Sequence, residues 1–152
     1  MAGTETPATE AARAAGVVFT LHEYDHDPGA ASYGVEAVAA LGVRAERVLK
    51  TLVVARDRHL VVCIVPVAAK LRLKAVGKHA ELADPVRAQR TTGYVVGGIS
   101  PLGQRKRLPT LLDTSAIAFS TVFVSAGRRG LEIELAPADL VALTDADIRT
   151  LT

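Results

Sequence analysis

The sequence predicts one α/β (α+β) domain over residues 1–152, a mixed β-sheet with short flanking helices. Two observations carry this. Apolar runs of strand length alternate with short helical runs that bear their own start and stop signals. No repeat, linker or low-complexity tract divides the chain. Hydrophobic residues at 49% and charged residues at 22% suit a globular chain that can bury a core of its own.

Thr6-Pro7 opens an Ala-rich helix that Gly16 can close, Pro suiting the first helical position and Gly the left-handed stop. Val17, Phe19 and Leu21 then alternate with Thr20, His22 and Tyr24, a half-buried strand that runs into turn chemistry at 25–29. A helix is expected over Tyr33–Leu41, ended by Gly42. Strands follow at 48–54 and 60–65, turned at Arg56-Asp57-Arg58. The second is apolar on both faces and belongs in the middle of the sheet. A basic helix is expected over 70–76, stopped by Gly77. The segment 91–103, with four glycines and a proline, reads as a loop. Short strands are expected near 117–119, 121–124 and 131–135, then a helix over 138–143 started by Pro137.

Composition removes several classes of function. With 4% aromatics and no Trp, a row of stacking rings cannot carry base recognition. The single cysteine, Cys63, forbids an intramolecular disulfide and a cysteine zinc site. No secretory leader and no apolar run of about 18 residues is visible, so a reducing cytoplasm is the expected compartment and no membrane partner is expected. The net charge of +2 is unevenly spread. Residues 70–107 carry nine Lys/Arg against two Asp/Glu, or +7, while 1–69 sum to −2 and 108–152 to −3. So basic a middle third suits a polyanionic partner or a solvated charged face.

Three places can hold chemistry. Lys50 interrupts the strand Val48-Leu49-Lys50-Thr51-Leu52-Val53. It either points out from a wet face or meets a ligand, and Val48, Leu52 and Val54 on its side argue against a purely wet face. The run 92–103 contains Gly97-Gly98, which permits close backbone approach to a ligand or serves a tight turn. It is neither a Walker loop nor a dinucleotide fingerprint. Ser125-Ala126-Gly127-Arg128-Arg129-Gly130 is an anion-binding hairpin or a plain charged turn. Nucleophile candidates fail: Cys63 lies among Val61, Val62, Ile64 and Val65, His22 and His26 have no further metal-ligating cluster, and no Gly-x-Ser-x-Gly elbow occurs.

At these residues the chain resembles the YbaK/EbsC family of Cys-tRNA(Pro) deacylases, related to the editing domain of bacterial prolyl-tRNA synthetase. The resemblance is carried by Leu21 to Pro28, Lys50-Thr51-Leu52-Val53, Gly97 to Gly103, Ser125 to Leu131 and Glu134 to Leu140, in family order over about residues 6–143. It implies a curved sheet and hydrolysis of the ester joining cysteine to the terminal adenosine of tRNA, with attack by the substrate's own thiol. By position, Lys50 corresponds to the essential lysine, implied to hold the phosphate backbone at the tRNA end. Thr51, Gly97, Gly98, Ile99, Ser100, Pro101, Tyr24, Ser125 and Gly127 correspond to substrate-binding positions. Tyr33 stands where a Phe is expected, Glu132 where some members have Asp, and Ala126 where a second glycine is usual.

The implied partner is the acceptor end of tRNA(Pro) carrying cysteine, with prolyl-tRNA synthetase as a further candidate. Arg105, Lys106, Arg107 and Arg128 are the expected nucleic-acid contacts. No cofactor and no metal is called for. Two rivals stand beside this reading: an editing hydrolase for another misacylated tRNA such as Ala-tRNA(Pro), and a non-catalytic tRNA-binding or regulatory module on the same fold.

Overall fold

The computed structural model describes residues 3–152; Met1 and Ala2, part of the N-terminal stretch read above for a leader, lie outside it. The strands form two sheets. An antiparallel one has the order β1 (Phe19–Glu23), β7 (Leu131–Leu135), β6 (Val122–Arg128). A mixed one has the order β4 (Glu81–Leu82), β2 (Leu49–Arg56), β3 (His59–Pro66), β5 (Thr110–Asp113), β8 (Asp147–Arg149). Strand β3, apolar from Leu60 onward, is central, as expected. The sheet predicted as one is thus divided in two, and a single parallel bridge between Val48 and Phe123 joins the start of β2 to β6.

Among the described residues five helices flank the sheets: α1 (Pro7–Ala14), α2 (Tyr33–Leu41), α3 (Leu73–Val76), α4 (Pro85–Thr92) and α5 (Pro137–Thr144). The Ser32 hydroxyl caps α2 and Gly42 ends it at φ 65°. The β2–β3 hairpin turns through Asp57 and Arg58, both at positive φ, as a two-residue connection between twisted strands requires. The main core lies between the sheets and under α1, α4 and α5, with Leu131, Ile133 and Leu135 of β7 at 1% exposure or less. A second cluster on the far side of the mixed sheet gathers Val54, Val61, Cys63, Val65, Leu111 and Leu151. No helix among the described residues is long and apolar enough to cross a membrane.

Three expectations need correction, and some elements were not foreseen. The basic helix is only Leu73–Val76, because Ala69 N–H closes a turn on the Pro66 carbonyl and Arg72 N–H donates to the Leu151 carbonyl. The strand expected at 117–119 is a 3-10 turn, Thr114–Ala118, begun by the Asp113 carboxylate accepting from Ser115 N–H. The loop expected from residue 91 begins two residues later, because Thr91 and Thr92 end α4, a helix capped by Asp84 and closed by Gly93 at φ 84°. Strands β5 and β8 were not expected; each pairs in parallel with a distant segment.

Candidate functional site

The parallel bridge explains how the site is assembled. With Val48 opposite Phe123, the next same-side residues are Lys50 on β2 and Ser125 on β6. Ser125 pairs in register with Glu132 of β7, and Glu132 with His22 of β1. Tyr24 continues β1 by donating its N–H to the Gly130 carbonyl at 2.9 Å. One face of the antiparallel sheet is therefore core, and the other offers Glu132, Ser125 and Tyr24 to the space beside Lys50. That space is a cavity of about 420 Å³. Its apolar walls include Leu49, Val53 and Val67, with Ala83, Pro85 and Ala88 contributed by α4 and the segment before it.

Four polar groups define the cavity's character. Lys50 has no ion-pair partner among the described residues, and its pKa is held below the ordinary lysine value, first by burial and then by the charge of Lys70. The Glu132 carboxyl is 7% exposed and makes no hydrogen bond, and burial pushes its pKa up to about 8. At neutral pH it is mostly the uncharged acid. The Tyr24 hydroxyl is raised to about 12, first by burial and then by the charges of Glu132 and Glu36. The Thr51 hydroxyl is buried without a partner. Among the described residues it is the one buried side-chain oxygen left without a partner. It lies on this cavity beside a lysine and a carboxyl that also lack side-chain partners, which marks a place for ligand groups.

No activated nucleophile lines this cavity. Ser125 Oγ accepts from Gly127 N–H at 3.3 Å and Ser32 Oγ from Val35 N–H at 3.3 Å, and neither hydroxyl is hydrogen-bonded to a carboxylate or an imidazole. His26 is bound to Glu36 at 2.7 Å outside the wall. Cys63 is fully buried in the second apolar cluster, its thiol pushed up to about 11 by that burial. No metal-holding cluster of His, Cys, Asp and Glu occurs among the described residues.

Of the residues singled out in the sequence, Lys50, Tyr24, Tyr33, Thr51, Gly97, Ile99, Ser125 and Glu132 line the cavity together. Gly98, Ser100, Pro101 and Gly127 do not. Gly98 packs under the β6–β7 turn, where a Cβ would lie 2.8 Å from the Arg128 Cα, and its N–H donates to the Val95 carbonyl. Ser100 is buried, its hydroxyl accepting from Leu102 N–H. Pro101 borders a separate cavity of about 190 Å³. Gly127 lies against Tyr94 and Thr6.

The expected nucleic-acid contacts also lie outside the cavity. Arg105, Lys106 and Arg107 are exposed on the chain returning past the end of α4, where Arg105 and Lys106 N–H donate to the Thr92 and Thr91 carbonyls. Arg128 is turned inward: its guanidinium donates to the Gly3 carbonyl, the Glu23 carboxylate and the Arg129 carbonyl. The sequence offered both arginines in a possible anion-binding hairpin and chose Arg128, but the one at the cavity is its neighbour. Arg129 donates from Nε and Nη2 to the Val96 carbonyl at 2.9 and 2.7 Å and lies 4.9 Å from the Tyr33 ring centroid. Nothing in a pair of adjacent arginines tells which one faces a site.

Comparison with known proteins bears on this geometry. The family model described as "Aminoacyl-tRNA editing domain" matches residues 27–143. A curated Enterococcus faecalis protein, EbsC, provisionally named a Cys-tRNA(Pro)/Cys-tRNA(Cys) deacylase, is 39% identical over 124 residues, 77% of this chain and 76% of that protein. Among solved structures, one described provisionally as a trans-editing enzyme for prolyl-tRNA synthetase superposes with a TM-score of 0.88 at 23% identity, covering 100% of this chain and 98% of that one. A scaffold used for computational grafting of linear epitopes gives 0.87 at 22%, with the same coverage. These two structural likenesses establish the fold.

Proposed function

The chain belongs to the aminoacyl-tRNA editing domain family, and on that premise we propose that this aminoacyl-tRNA deacylase acts on tRNA(Pro) charged with cysteine, the substrate's own thiol being the nucleophile. The observation that carries the reading is a cavity that brings together a lysine without an ion pair and a buried carboxyl without a hydrogen bond, but no hydroxyl or thiol bonded to a base, among the described residues. The resemblance at Lys50-Thr51-Leu52-Val53 and the provisional name of the 39% identical relative support the choice of cysteine.

The step balances without help from a cofactor. A cysteine thiol, with a pKa of about 8.5, is a few per cent thiolate near neutrality. Its sulfur forms a bond to the ester carbonyl carbon and the bond from that carbon to the ribose oxygen breaks. The products are a four-membered cyclic thioester, which water opens to free cysteine, and a tRNA end whose hydroxyl receives the proton. The protein's task is to hold sulfur and carbonyl in a near-attack geometry. Lys50 is assigned to the phosphate nearest the ester, and Tyr33, Tyr24, Ser125 and Glu132 to the aminoacyl group and its ribose. Of the two adjacent glycines, only Gly97 has an N–H left for a developing oxyanion, since that of Gly98 is taken by Val95.

Deacylation assays with Cys-, Ser-, Ala- and Pro-charged tRNA(Pro) test the assignment. Cysteine should be released fastest by a wide margin; faster release of alanine would transfer the reading to an editing enzyme that activates water.

A further inference from the structure

Arg129 is spent on nothing that requires an arginine. The Val96 carbonyl needs one donor and receives two, and the remaining guanidinium N–H groups have no partner among the described residues. The residue is exposed, yet it stands over two residues of the cavity wall, Val96 and Tyr33, and so marks the rim. Three separate segments meet there: the first turn of α2, the glycine loop and the β6–β7 turn. The Tyr33 ring is packed so closely on Gly97 that a Cβ would lie 2.7 Å from it. The guanidinium is thus held along one edge by the Val96 carbonyl and lies 4.9 Å from the Tyr33 ring centroid, on a residue that is otherwise exposed. A guanidinium held this way presents parallel donors at the spacing of two phosphate oxygens.

We infer that Arg129 binds a phosphodiester of the RNA strand entering the cavity, one position outward from the group held by Lys50. This rests on the reading of the cavity as the site of a tRNA 3′ end. The depth order suits the ligand: an aminoacyl ester and its ribose occupy the cavity, and the phosphates that follow must lie at and beyond the rim. The sequence suggested Arg128 for this role, but its donors are committed to Gly3, Glu23 and Arg129.

The test is binding of a fluorescent single-stranded RNA ending in CCA, titrated over a series of salt concentrations. It compares the wild type with Arg129→Gln and Arg129→Lys, each checked by thermal unfolding. Arg129→Gln should weaken binding about tenfold, the size of one charge-assisted hydrogen bond, and lower the log–log salt slope by about 0.7. Arg129→Lys should keep the slope and most of the affinity. Unchanged affinity and slope in Arg129→Gln overturn the inference, as does a wild type whose binding ignores salt. Equal weakening in both variants with no change in slope also overturns it, because the residue would then be only a latch on Val96. If Arg129→Gln fails to fold, a fall in slope for Arg129→Lys alone decides against it. Wild-type deacylation of Cys-tRNA(Pro), run in parallel, separates the two claims: activity with an indifferent Arg129 leaves the function standing, and RNA binding that depends on Arg129 without any deacylation leaves Arg129 standing.

Discussion

Lys50 lines the cavity without an ion-pair partner among the described residues, and this makes its removal cheap for the fold and costly for the reaction. Lys50→Ala should abolish deacylation while the melting temperature stays level or rises; full activity in the folded variant would remove Lys50 from the mechanism. Glu132 gives a pH signature. Its folded pKa, near 8, lies above the unfolded carboxylate value, so the native state binds the extra proton and stability falls as pH rises from about 4.5 to 8. Glu132→Gln should flatten the melting temperature across that window; the same slope as wild type would place the titration elsewhere. Both residues could be singled out in the sequence, Lys50 because it interrupts an apolar strand and Glu132 through the resemblance. Arg129 could not, because which of two adjacent arginines faces the rim is decided by the irregularity that shifts the β6–β7 register between Ser125 and Arg128.

The glycine loop shows how far spacing alone reaches at the scale of an element. Gly97 and Gly98 suggested a backbone cradle for an anion, but each is small chiefly because something packs on it: the Tyr33 ring on Gly97, the turn backbone on Gly98. Gly98→Ala puts a methyl within 2.8–2.9 Å of main-chain atoms that cannot swing away, and should cost about 1–3 kcal/mol of stability. A destabilisation below about 0.5 kcal/mol in denaturant unfolding would mean the loop is more compliant than its packing implies. Helices with local punctuation were legible, α1 from Thr6, Pro7 and Gly16 and α2 from its stop at Gly42. Helix α4 carried equally good signals in Asp84, Pro85 and Gly93 and was missed, its short polar sequence offering no apolar stripe. Strands β5 and β8 had no local signal to find, since their partners are far away in the chain.

Across the whole molecule, the two sheets meet where Val48 bridges Phe123, and that junction brings β2 and β6 together at the cavity. Such a long-range pairing is invisible in a single sequence, whereas the uneven charge was legible at once. Helix α4 links the two scales: Pro85 and Ala88 face the cavity, and the chain beside its far end carries Arg105, Lys106 and Arg107. Eight residues of helix span about 12 Å. Reversing the three charges together should flatten the salt dependence of tRNA binding by about 0.7–0.9 for each phosphate no longer neutralised. An unchanged slope would leave the cluster a solvated face.

The decisive question is which group supplies the nucleophile. Replacing the substrate thiol by a methyl group, as in 2-aminobutyryl-tRNA(Pro), keeps the size similar and removes the sulfur. Single-turnover deacylation of that ester beside Cys-tRNA(Pro), at saturating enzyme, compares the chemistry alone. Attack by the substrate thiol predicts rapid release of cysteine and, for the bound aminobutyryl ester, release no faster than the uncatalysed background. Equal rates would contradict it, because water activated by the protein would then be the attacking group.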